Sequence, residues 1–230
     1  MERSRFPEKI FEIFVNYFLL SKGFDIYVPS QIKEAKLGYD ALFQNGKIKI
    51  GILQYKIVTK YVRKPKEHSS ANNVYYLKLH KDKALKYTQH NLLVKKANKG
   101  IKCGYAVPCF VEYQDLYDYY HNKHLLKKSF IIIPKYQISD KKNHYITFDD
   151  KGNAFLHSKE QQNIEINNLE DFINSIMESE NEYDKDKLTN ILYEVLEEYI
   201  DNNDYLNCEE KVLKTLYDNN MILVTYSDNN

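Results

Sequence analysis

The chain has 230 residues, 43% of them hydrophobic, and a formal net charge of +1. This composition is sufficient for a substantial core and excludes a globally disordered chain. The small net charge hides an asymmetry, because residues 1–150 carry 27 Lys and Arg against 14 Asp and Glu, whereas residues 151–230 carry 6 against 18. A part of charge +13 therefore precedes a part of charge −12. Such an asymmetry favours a polyanionic partner for the basic part, often a nucleic acid.

The cysteines and the apolar stretches indicate where the protein works. Three cysteines without regular spacing argue against a disulfide framework and favour a reducing compartment. The N-terminus lacks the apolar stretch and small-residue cleavage site of a secretory signal. The longest apolar stretch, residues 10–20, is too short to span a membrane and contains Glu12 and Asn16. We therefore expect a cytoplasmic protein with no membrane partner.

Residues 7–22 are predicted to form a helix that begins at a proline and ends before a glycine. Apolar residues cover most of its circumference, as expected of a largely buried helix. Polar residues recur at i, i+4 and i+8 and so form one narrow stripe. The members of this stripe are Glu8, Glu12 and Asn16.

Three strands are predicted next, at residues 24–28, 39–44 and 47–58. Asn45-Gly46 separates the last two and is a strong signal for a two-residue β-hairpin turn. The third strand alternates at first and then becomes almost continuously apolar. This pattern is typical of a strand that runs from the edge of a sheet into its centre.

The remaining pattern divides the chain into a basic body and an acidic end. After a basic loop at residues 60–66, we predict helices at 81–98 and 113–123 and strands at 103–111, 130–138, 145–148 and 154–157. Beyond residue 160 the helices predicted are 169–177, 185–200 and 208–217. We therefore predict one domain over residues 1–158, followed by an acidic, mainly helical C-terminal extension over residues 159–230.

We expect polar residues of the first helix and of the second and third strands to lie close together. Asp40 lies within the second strand, where aspartate is disfavoured, while Gln54 and Lys56 lie two residues apart on the third and share a face. The hairpin brings Asp40 towards that pair, and Glu12 lies on the helix stripe. Oxygen atoms of Asp40, Glu12, Gln54 and the Tyr55 carbonyl suit Mg²⁺, and Lys56 suits the orientation of a water or the stabilisation of negative charge.

This pattern resembles a known nuclease core. Gly38-Tyr39-Asp40 followed by Gln54-Tyr55-Lys56 is similar to the D…(E/Q)xK motif of the restriction-endonuclease-like PD-(D/E)xK nucleases, in its Mrr-like glutamine variant. The helix around Glu12 is similar to the N-terminal helix of that branch. The resemblance covers residues 7–111 and implies an α/β fold with an αβββαβ core and a mixed sheet. Small nuclease domains of prokaryotic defence systems are a looser likeness.

The resemblance also implies roles for individual residues. Asp40 would be the central metal ligand, Gln54 the second ligand, Glu12 the ligand from the helix and Lys56 the catalytic lysine, with Mg²⁺ or Mn²⁺ as cofactor. Two departures matter, because Tyr39 replaces the usual proline and Gln54 is neutral. A neutral second ligand leaves less negative charge at the site, so metal affinity is expected to be weaker or to depend more on Glu12.

The function implied is an endonuclease that acts on DNA, with RNA not excluded, and that forms a homodimer. Candidate phosphate contacts follow the motif and are Lys60, Arg63, Lys64 and Lys66. A solvated surface loop is the ordinary alternative for these residues. A solvated helix face for Glu12 and an exposed strand face for Gln54 and Lys56 are likewise open.

Two other classes of function compete with the nuclease. The neutral Gln54 motivates a non-catalytic nucleic-acid-binding module on the same fold. The acidic C-terminal segment motivates a protein-interaction subunit that binds a basic partner through that segment, and in an intramolecular version the segment covers the basic cleft.

Overall fold

The computed structural model describes residues 1–27, 49–79, 81, 88–139, 142–158, 160–180, 190 and 222–226. Its helices are α1 (Glu8–Ser21), α2 (Thr88–Asn98), α3 (Tyr113–His121) and α4 (Leu169–Met177), with 3₁₀ turns at Lys66–His68 and Leu126–Lys128. Its strands are β1 (Glu2–Arg3), β2 (Asp25–Tyr27), β3 (Lys49–Tyr55), β4 (Thr59–Lys60), β5 (Val74–Lys78), β6 (Lys102–Pro108), β7 (Ser129–Ile133), β8 (Tyr145–Asp149), β9 (Ala154–His157), β10 (Gln161–Asn163), β11 (Glu165–Asn168) and β12 (Ile222–Tyr226). None of the described helices is long and apolar enough to cross a membrane.

The strands form two six-stranded sheets. One has the order β1-β4-β5-β8-β9-β10 and is antiparallel throughout; we call it the antiparallel sheet. The other has the order β11-β7-β6-β3-β12-β2, and because β3 and β6 run parallel while the other pairs are antiparallel, we call it the mixed sheet. The expected α/β class with a mixed sheet is confirmed.

Apolar residues are buried on both faces of the mixed sheet. Ile52 belongs to a core that the mixed sheet shares with α2 and the inner face of the antiparallel sheet. Its neighbour Leu53 belongs to a second core beneath α1, α3 and α4. Successive strand residues point to opposite faces, so burial of both faces explains why the sequence of β3 is almost continuously apolar.

The N-terminal helix matches its sequence signals closely. Pro7 precedes α1 in an extended conformation, and Gly23 follows it with a φ of 86°. The Gly23 N–H donates to the Leu20 carbonyl and the Phe24 N–H to the Leu19 carbonyl, both at 3.0 Å. This pattern is the Schellman motif, which requires the left-handed backbone that glycine adopts without strain.

Several predicted elements are confirmed: the helices at 7–22, 113–123 and 169–177 and the strands at 24–28, 103–111, 145–148 and 154–157. The strand predicted over 130–138 ends at Ile133, because Pro134 cannot donate a ladder hydrogen bond. The helix predicted at 81–98 is described from Thr88. The helix predicted at 208–217 and all but residue 190 of the one predicted at 185–200 lie outside the described residues.

The predicted hairpin cannot include residues 51–53 of β3. Along residues 51–53, one edge of β3 pairs with β6 and the other with β12. A strand has two edges, so no edge remains along these residues for a hairpin that begins at Asn45-Gly46. The predicted strand at 39–44, with Asp40, lies outside the described residues.

The acidic part of the chain contributes to both sheets. It supplies β10 to the antiparallel sheet and β11 and β12 to the mixed sheet, in addition to α4. Two lysines of the basic part hold α4, since Lys49 Nζ donates to the Met177 carbonyl at 2.7 Å and Lys102 Nζ to Ser175 Oγ at 3.0 Å. The domain boundary after residue 158 stays a prediction, although strands from both sides of it are hydrogen-bonded together.

Val224 provides a test of the role of β12. It pairs with Gly51 of β3 and with Ile26 of β2, so its strand has neighbours on both edges. Proline has no N–H to donate within a central strand. We expect Val224→Pro to lower the thermal unfolding midpoint markedly and the β-branched control Val224→Thr to have a small effect. Equal midpoints would show that β12 contributes little to stability.

A buried histidine links α2 to β6. His90 is 2% exposed; its Nδ1 lies 3.0 Å from the Tyr105 hydroxyl and its Nε2 lies 2.8 Å from the Tyr136 carbonyl. Burial lowers the pKa of His90 to about 4, with the Tyr136 carbonyl opposing this change and His144 adding to it. Neutral His90 therefore donates from Nε2 and accepts the tyrosine hydroxyl at Nδ1.

This histidine makes stability sensitive to acid. Because its folded-state pKa lies below its ordinary value, its contribution is complete above pH 6.5 and is lost as pH falls towards 4. The expected loss from His90 between pH 7.5 and 4 is about 3 kcal/mol. Urea unfolding at both pH values should show a smaller pH effect in His90→Gln than in the wild type, and equal pH effects would contradict this assignment.

Candidate functional site

A cleft of about 510 Å³ opens where β3 ends, beside the first turns of α1 and α2 and the neighbouring ends of β4 and β5. Among the described residues, its wall contains three ammonium groups, one carboxylate and two side-chain amides. The residues that line it are Glu8, Lys56, Ile57, Thr59, Tyr76, Leu77, Lys78, Leu79, Lys81, Gln89 and Asn143. The excess of positive groups makes this cleft suitable for an anion.

Lys56 is fixed at the rim of this cleft. Its backbone N–H donates to the Ala106 carbonyl at 3.0 Å, which extends the parallel pairing of β3 with β6. Its side chain is 16% exposed, and its Nζ lies 3.3 Å from Glu8 Oε1. The lysine that the sequence predicts to be catalytic therefore lies in this cleft, held by its backbone hydrogen bond to Ala106 and by the carboxylate of Glu8.

The polar stripe of α1 faces the end of β3, but its members have separate contacts. Glu8 contacts Lys56, whereas Glu12 accepts from Lys9 Nζ at 2.5 Å and does not line the cleft. Asn16 Oδ1 accepts from the Tyr55 hydroxyl at 2.6 Å. Burial, and then the carboxylate of Glu12, raise the pKa of Tyr55 well above its ordinary value. The helix residue that reaches Lys56 is thus Glu8, one turn before the predicted Glu12.

Gln54 lies deeper than predicted. It is 0% exposed, lies in register with Tyr105 of β6 and does not line the cleft. It shares a face of β3 with Lys56 by strand alternation, but Lys56 follows the end of the strand and turns into the cleft. Gln54 and Lys56 are therefore neighbours at different depths.

Asp40, the expected central metal ligand, lies outside the described residues. Within the part of the chain that is described, no three or more His, Cys, Asp or Glu side chains group as they would around a metal ion. The described carboxylate that lines the cleft is Glu8. The described donors thus fit Mg²⁺ only as part of a set that a further carboxylate completes.

The wall formed by β5 was not anticipated from the sequence. Tyr76 and Lys78 contribute to the cleft, and β5 was not predicted as a strand. Its sequence, VYYLK, nevertheless contains a signal, since Tyr75 and Leu77 are buried while Lys78 is exposed. Alternation of this kind indicates a strand with one face in the core.

The predicted phosphate contacts lie on and after β4 and differ in their availability. Lys60 is half-buried in β4, opposite Tyr75, whereas Arg63 and Lys66 are exposed. Lys64 Nζ donates to the Ala71 carbonyl and so closes its own loop. Arg63 and Lys66 are therefore the better placed of the four for contact with a ligand.

Two adjacent aspartates fix this basic loop to the turn between β8 and β9. Asp149 Oδ2 lies 2.7 Å from His68 Nδ1, and the two side chains are 1% and 0% exposed. Asp150 accepts the backbone N–H groups of Asn72 at 3.1 Å and Asn73 at 2.9 Å. The positions of Arg63 and Lys66 are thus set by acidic residues about 80 positions later in the chain.

The contacts of His68 have the order found in catalytic triads. Its second nitrogen, Nε2, lies 2.9 Å from Thr147 Oγ1, so a carboxylate, an imidazole and a hydroxyl follow one another. All three side chains are almost completely buried, and Thr147 Oγ1 also lies 2.8 Å from His157 Nε2. A substrate has no access to this hydroxyl, so the arrangement serves to hold the loop.

Electrostatics agree with this structural role. Burial alone raises the pKa of Asp149, but hydrogen bonds from His68, Asn153 and the Lys151 N–H outweigh it and hold that pKa below its ordinary value. Burial lowers the pKa of His157, although Glu67 opposes the change. The carboxylate of Asp149 is therefore the stabilised form at neutral pH.

We expect Asp149→Asn to lower the free energy of unfolding by roughly 3 kcal/mol, because it removes one partner of a buried charged contact. In the matched control, Asp150→Asn, the single amide oxygen can keep only one of the two backbone N–H groups that the two carboxylate oxygens accept, so the expected loss is about 1 kcal/mol. Urea unfolding at pH 7.5 measures both. A loss for Asp149→Asn no larger than for Asp150→Asn would show that the His68 contact contributes little.

The comparisons with known proteins give no relative. No protein-family model, curated protein or solved structure matches the chain. The likeness to PD-(D/E)xK nucleases therefore depends on the chain's own residues: Gln54 and Lys56 on and after β3, together with Asp40.

Proposed function

We propose that this protein is a metal-dependent nuclease that hydrolyses phosphodiester bonds, with DNA as the expected substrate and the cleft around Lys56 as its active site. The observation that carries the proposal is the position of Lys56. The lysine of the QxK pattern lies at the end of a central strand, in a cleft of about 510 Å³, beside a carboxylate and two further lysines. A chance QxK on an exposed strand face would not be expected there.

The charges of the cleft suit a phosphodiester. Lys56, Lys78 and Lys81 bring positive charge to a partly enclosed surface, where it attracts a polyanion and favours a transition state with extra negative charge. Glu8 lies close enough to Lys56 to orient its ammonium group. The chain's own groups thus account for binding the phosphate and for stabilising charge at it.

The metal is part of the proposal. Bound Mg²⁺ or Mn²⁺ would lower the pKa of a water and polarise the phosphate. Asp40 and the carboxylate of Glu8 are the ligands that this arrangement favours. Glu12 is paired with Lys9, and Gln54 is buried beneath the cleft, so both would have to supply oxygen atoms from positions outside its lining.

The second candidate is a nucleic-acid-binding module without catalysis. The specific observation in its favour is Gln54, which is neutral and fully buried at the position where active members of the family usually carry an acid. Such a module keeps the basic cleft and binds nucleic acid with strong salt dependence, but it does not cleave.

Cleavage of supercoiled plasmid with Mg²⁺ or Mn²⁺ separates the two candidates. We expect Asp40→Ala to abolish cleavage and Lys56→Ala to lower its rate on the order of a hundredfold, because one group that stabilises the transition state is lost. The matched control is Lys127→Ala, an exposed lysine near α4, which should cleave as the wild type does.

Three outcomes are informative. Equal cleavage by all variants would reject the nuclease, since the activity would not depend on the proposed site. Binding without cleavage by the wild type, in either metal, would support the non-catalytic module. Loss of cleavage in the Asp40 and Lys56 variants, with unchanged unfolding midpoints, would support the proposed active site.

The biological setting follows from the same proposal. Cleavage of both strands of a duplex by one site per chain favours a homodimer, and the family likeness favours a role in prokaryotic defence. The acidic segment remains a candidate surface for a basic protein partner or a cover for the cleft. Complete deletion of that segment is a poor test, because it removes β12 from the mixed sheet.

A further inference from the structure

The outer face of the antiparallel sheet differs from its inner face. Tyr75 and Leu77 of β5 point into the core, as do Ile146 and Phe148 of β8. Residues between them in each strand point outward by alternation. The outward residues of these strands and of β9 that concern us are Tyr76, Lys78, Tyr145, Thr147, Phe155 and His157. The 3₁₀ turn at Lys66–His68 covers Thr147 and Phe155 and leaves the part of the face nearer the cleft open.

Four rings follow one another across this open part. The ring centroids of Tyr61 and Tyr76 are 6.2 Å apart, those of Tyr76 and Tyr145 are 5.1 Å apart, and those of Tyr145 and His157 are 4.5 Å apart. All four residues are half-buried, so each contributes part of its surface to this face. We call these four residues the aromatic row.

The row lies between two groups of cations. At one end, Tyr76 and the exposed Lys78 line the cleft together with Lys56. At the other end of the β4–β5 pair is the loop that carries Arg63 and Lys66. Asp149 and Asp150 hold this loop in place. The five residues of β5 separate the two groups by about 13 Å, since a strand rises about 3.3 Å per residue. A chain of phosphates that reached both groups would cross the aromatic row.

An acidic residue limits the row on one side. Glu67 Oε1 lies 3.7 Å from His157 Nε2 and so places negative charge beside that ring. Lys78, by contrast, lies directly opposite Tyr145 in the ladder between β5 and β8. Glu67 also acts on Tyr61, where burial is the largest cause of a raised pKa and Glu67 is one of the groups that add to it. Charge complementarity with a polyanion therefore favours the Tyr76 and Tyr145 part of the row.

We propose that a single strand of nucleic acid binds across the aromatic row, with its backbone on the cations of the cleft and loop and its unpaired bases against Tyr76 and Tyr145. The inference rests on the proposed nuclease function and gives its substrate class. Bases can contact the surface of these rings only when they are not paired inside a duplex. Cations that follow the backbone, combined with aromatic rings that contact bases, are the usual means of binding single strands without sequence preference.

A duplex would use the same face differently. Its bases are stacked inside the helix, so the rings would contribute only their hydroxyl groups, as hydrogen-bond donors to phosphate. Removal of the hydroxyl and removal of the whole ring therefore distinguish the two modes. Tyr145→Phe removes the hydroxyl and keeps the ring, whereas Tyr145→Ala removes both.

The experiment is fluorescence anisotropy with a labelled 20-nucleotide oligo-dT, in EDTA so that no cleavage occurs. We expect Tyr145→Ala and Tyr76→Ala each to weaken binding about tenfold, the loss typical of one stacked base. Tyr145→Phe should bind within about twofold of the wild type. The matched control is Tyr117→Ala, a tyrosine 48% exposed on α3, which packs on the other face of the mixed sheet and should not affect binding.

Salt titrations test the backbone contacts separately. We expect Lys78→Ala to reduce the slope of log affinity against log salt by about 0.7, and the double variant Arg63→Ala/Lys66→Ala to reduce it by about 1.4. Tyr145→Ala should leave the slope unchanged, because it removes no charge. Lys127→Ala serves as the control for a lysine outside the path.

Three results would overturn the inference: equal binding by the Tyr145→Ala and Tyr117→Ala variants, affinity for a 20-base-pair duplex as tight as for oligo-dT, or no binding of oligo-dT at any salt concentration. A tenfold loss in Tyr145→Phe equal to that in Tyr145→Ala would also reject it in favour of hydroxyl contacts to phosphate. Failure of the nuclease itself is read independently, from metal-dependent cleavage of single-stranded circular DNA by the wild type and by the Asp40→Ala and Lys56→Ala variants.

Discussion

The pairing and burial of β3 form the constraint on which the rest of the structure depends. Along residues 51–53 both of its edges are paired, with β6 and β12, and both of its faces contribute to apolar cores. Such a strand leaves the core only at its two ends. A side chain of this strand that contacts a ligand is therefore expected at one of them, here after the last residue. Lys56 occupies that position, and its backbone hydrogen bond to Ala106 gives its side chain a defined point of departure. The proposed site accordingly lies where the two sheets and the first turns of α1 and α2 meet.

Charge has two separate tasks in this protein. Exposed or cleft-lining cations such as Lys78 and Arg63 remain available to a partner, whereas buried carboxylates such as Asp149 hold the backbone that carries them. The apparent neutrality of the chain is therefore a poor guide to its surface. A carboxylate enclosed with an imidazole and several N–H groups presents little charge to a ligand, but an exposed guanidinium presents its full charge.

The sequence was informative where periodicity and local stop signals are strong. The helix around Phe11 and the strand at Ala154–His157 follow from such signals. The partner of β3 could not be derived in this way, because β12 is about 170 residues away and Asn45-Gly46 indicates a local pairing that competes with it. Likewise, helical periodicity places Glu8 and Glu12 on one stripe but cannot tell which of them lies level with Lys56, since that depends on how α1 packs. The sequence did not indicate the buried contact of His68, because its partner Asp149 is distant in sequence.

The position of β12 also has a consequence for biosynthesis. Residues 51–53 gain their second neighbouring strand only when residues 222–226 have left the ribosome. At an elongation rate of 5 to 20 residues per second, that delay is roughly 10 to 30 s. During this interval the nascent chain presents an unpaired, apolar strand edge, which is a target for chaperones and for mispairing. The mixed sheet is thus complete only after residues 222–226 have emerged, so the cleft at the end of β3 would acquire its final shape late in synthesis.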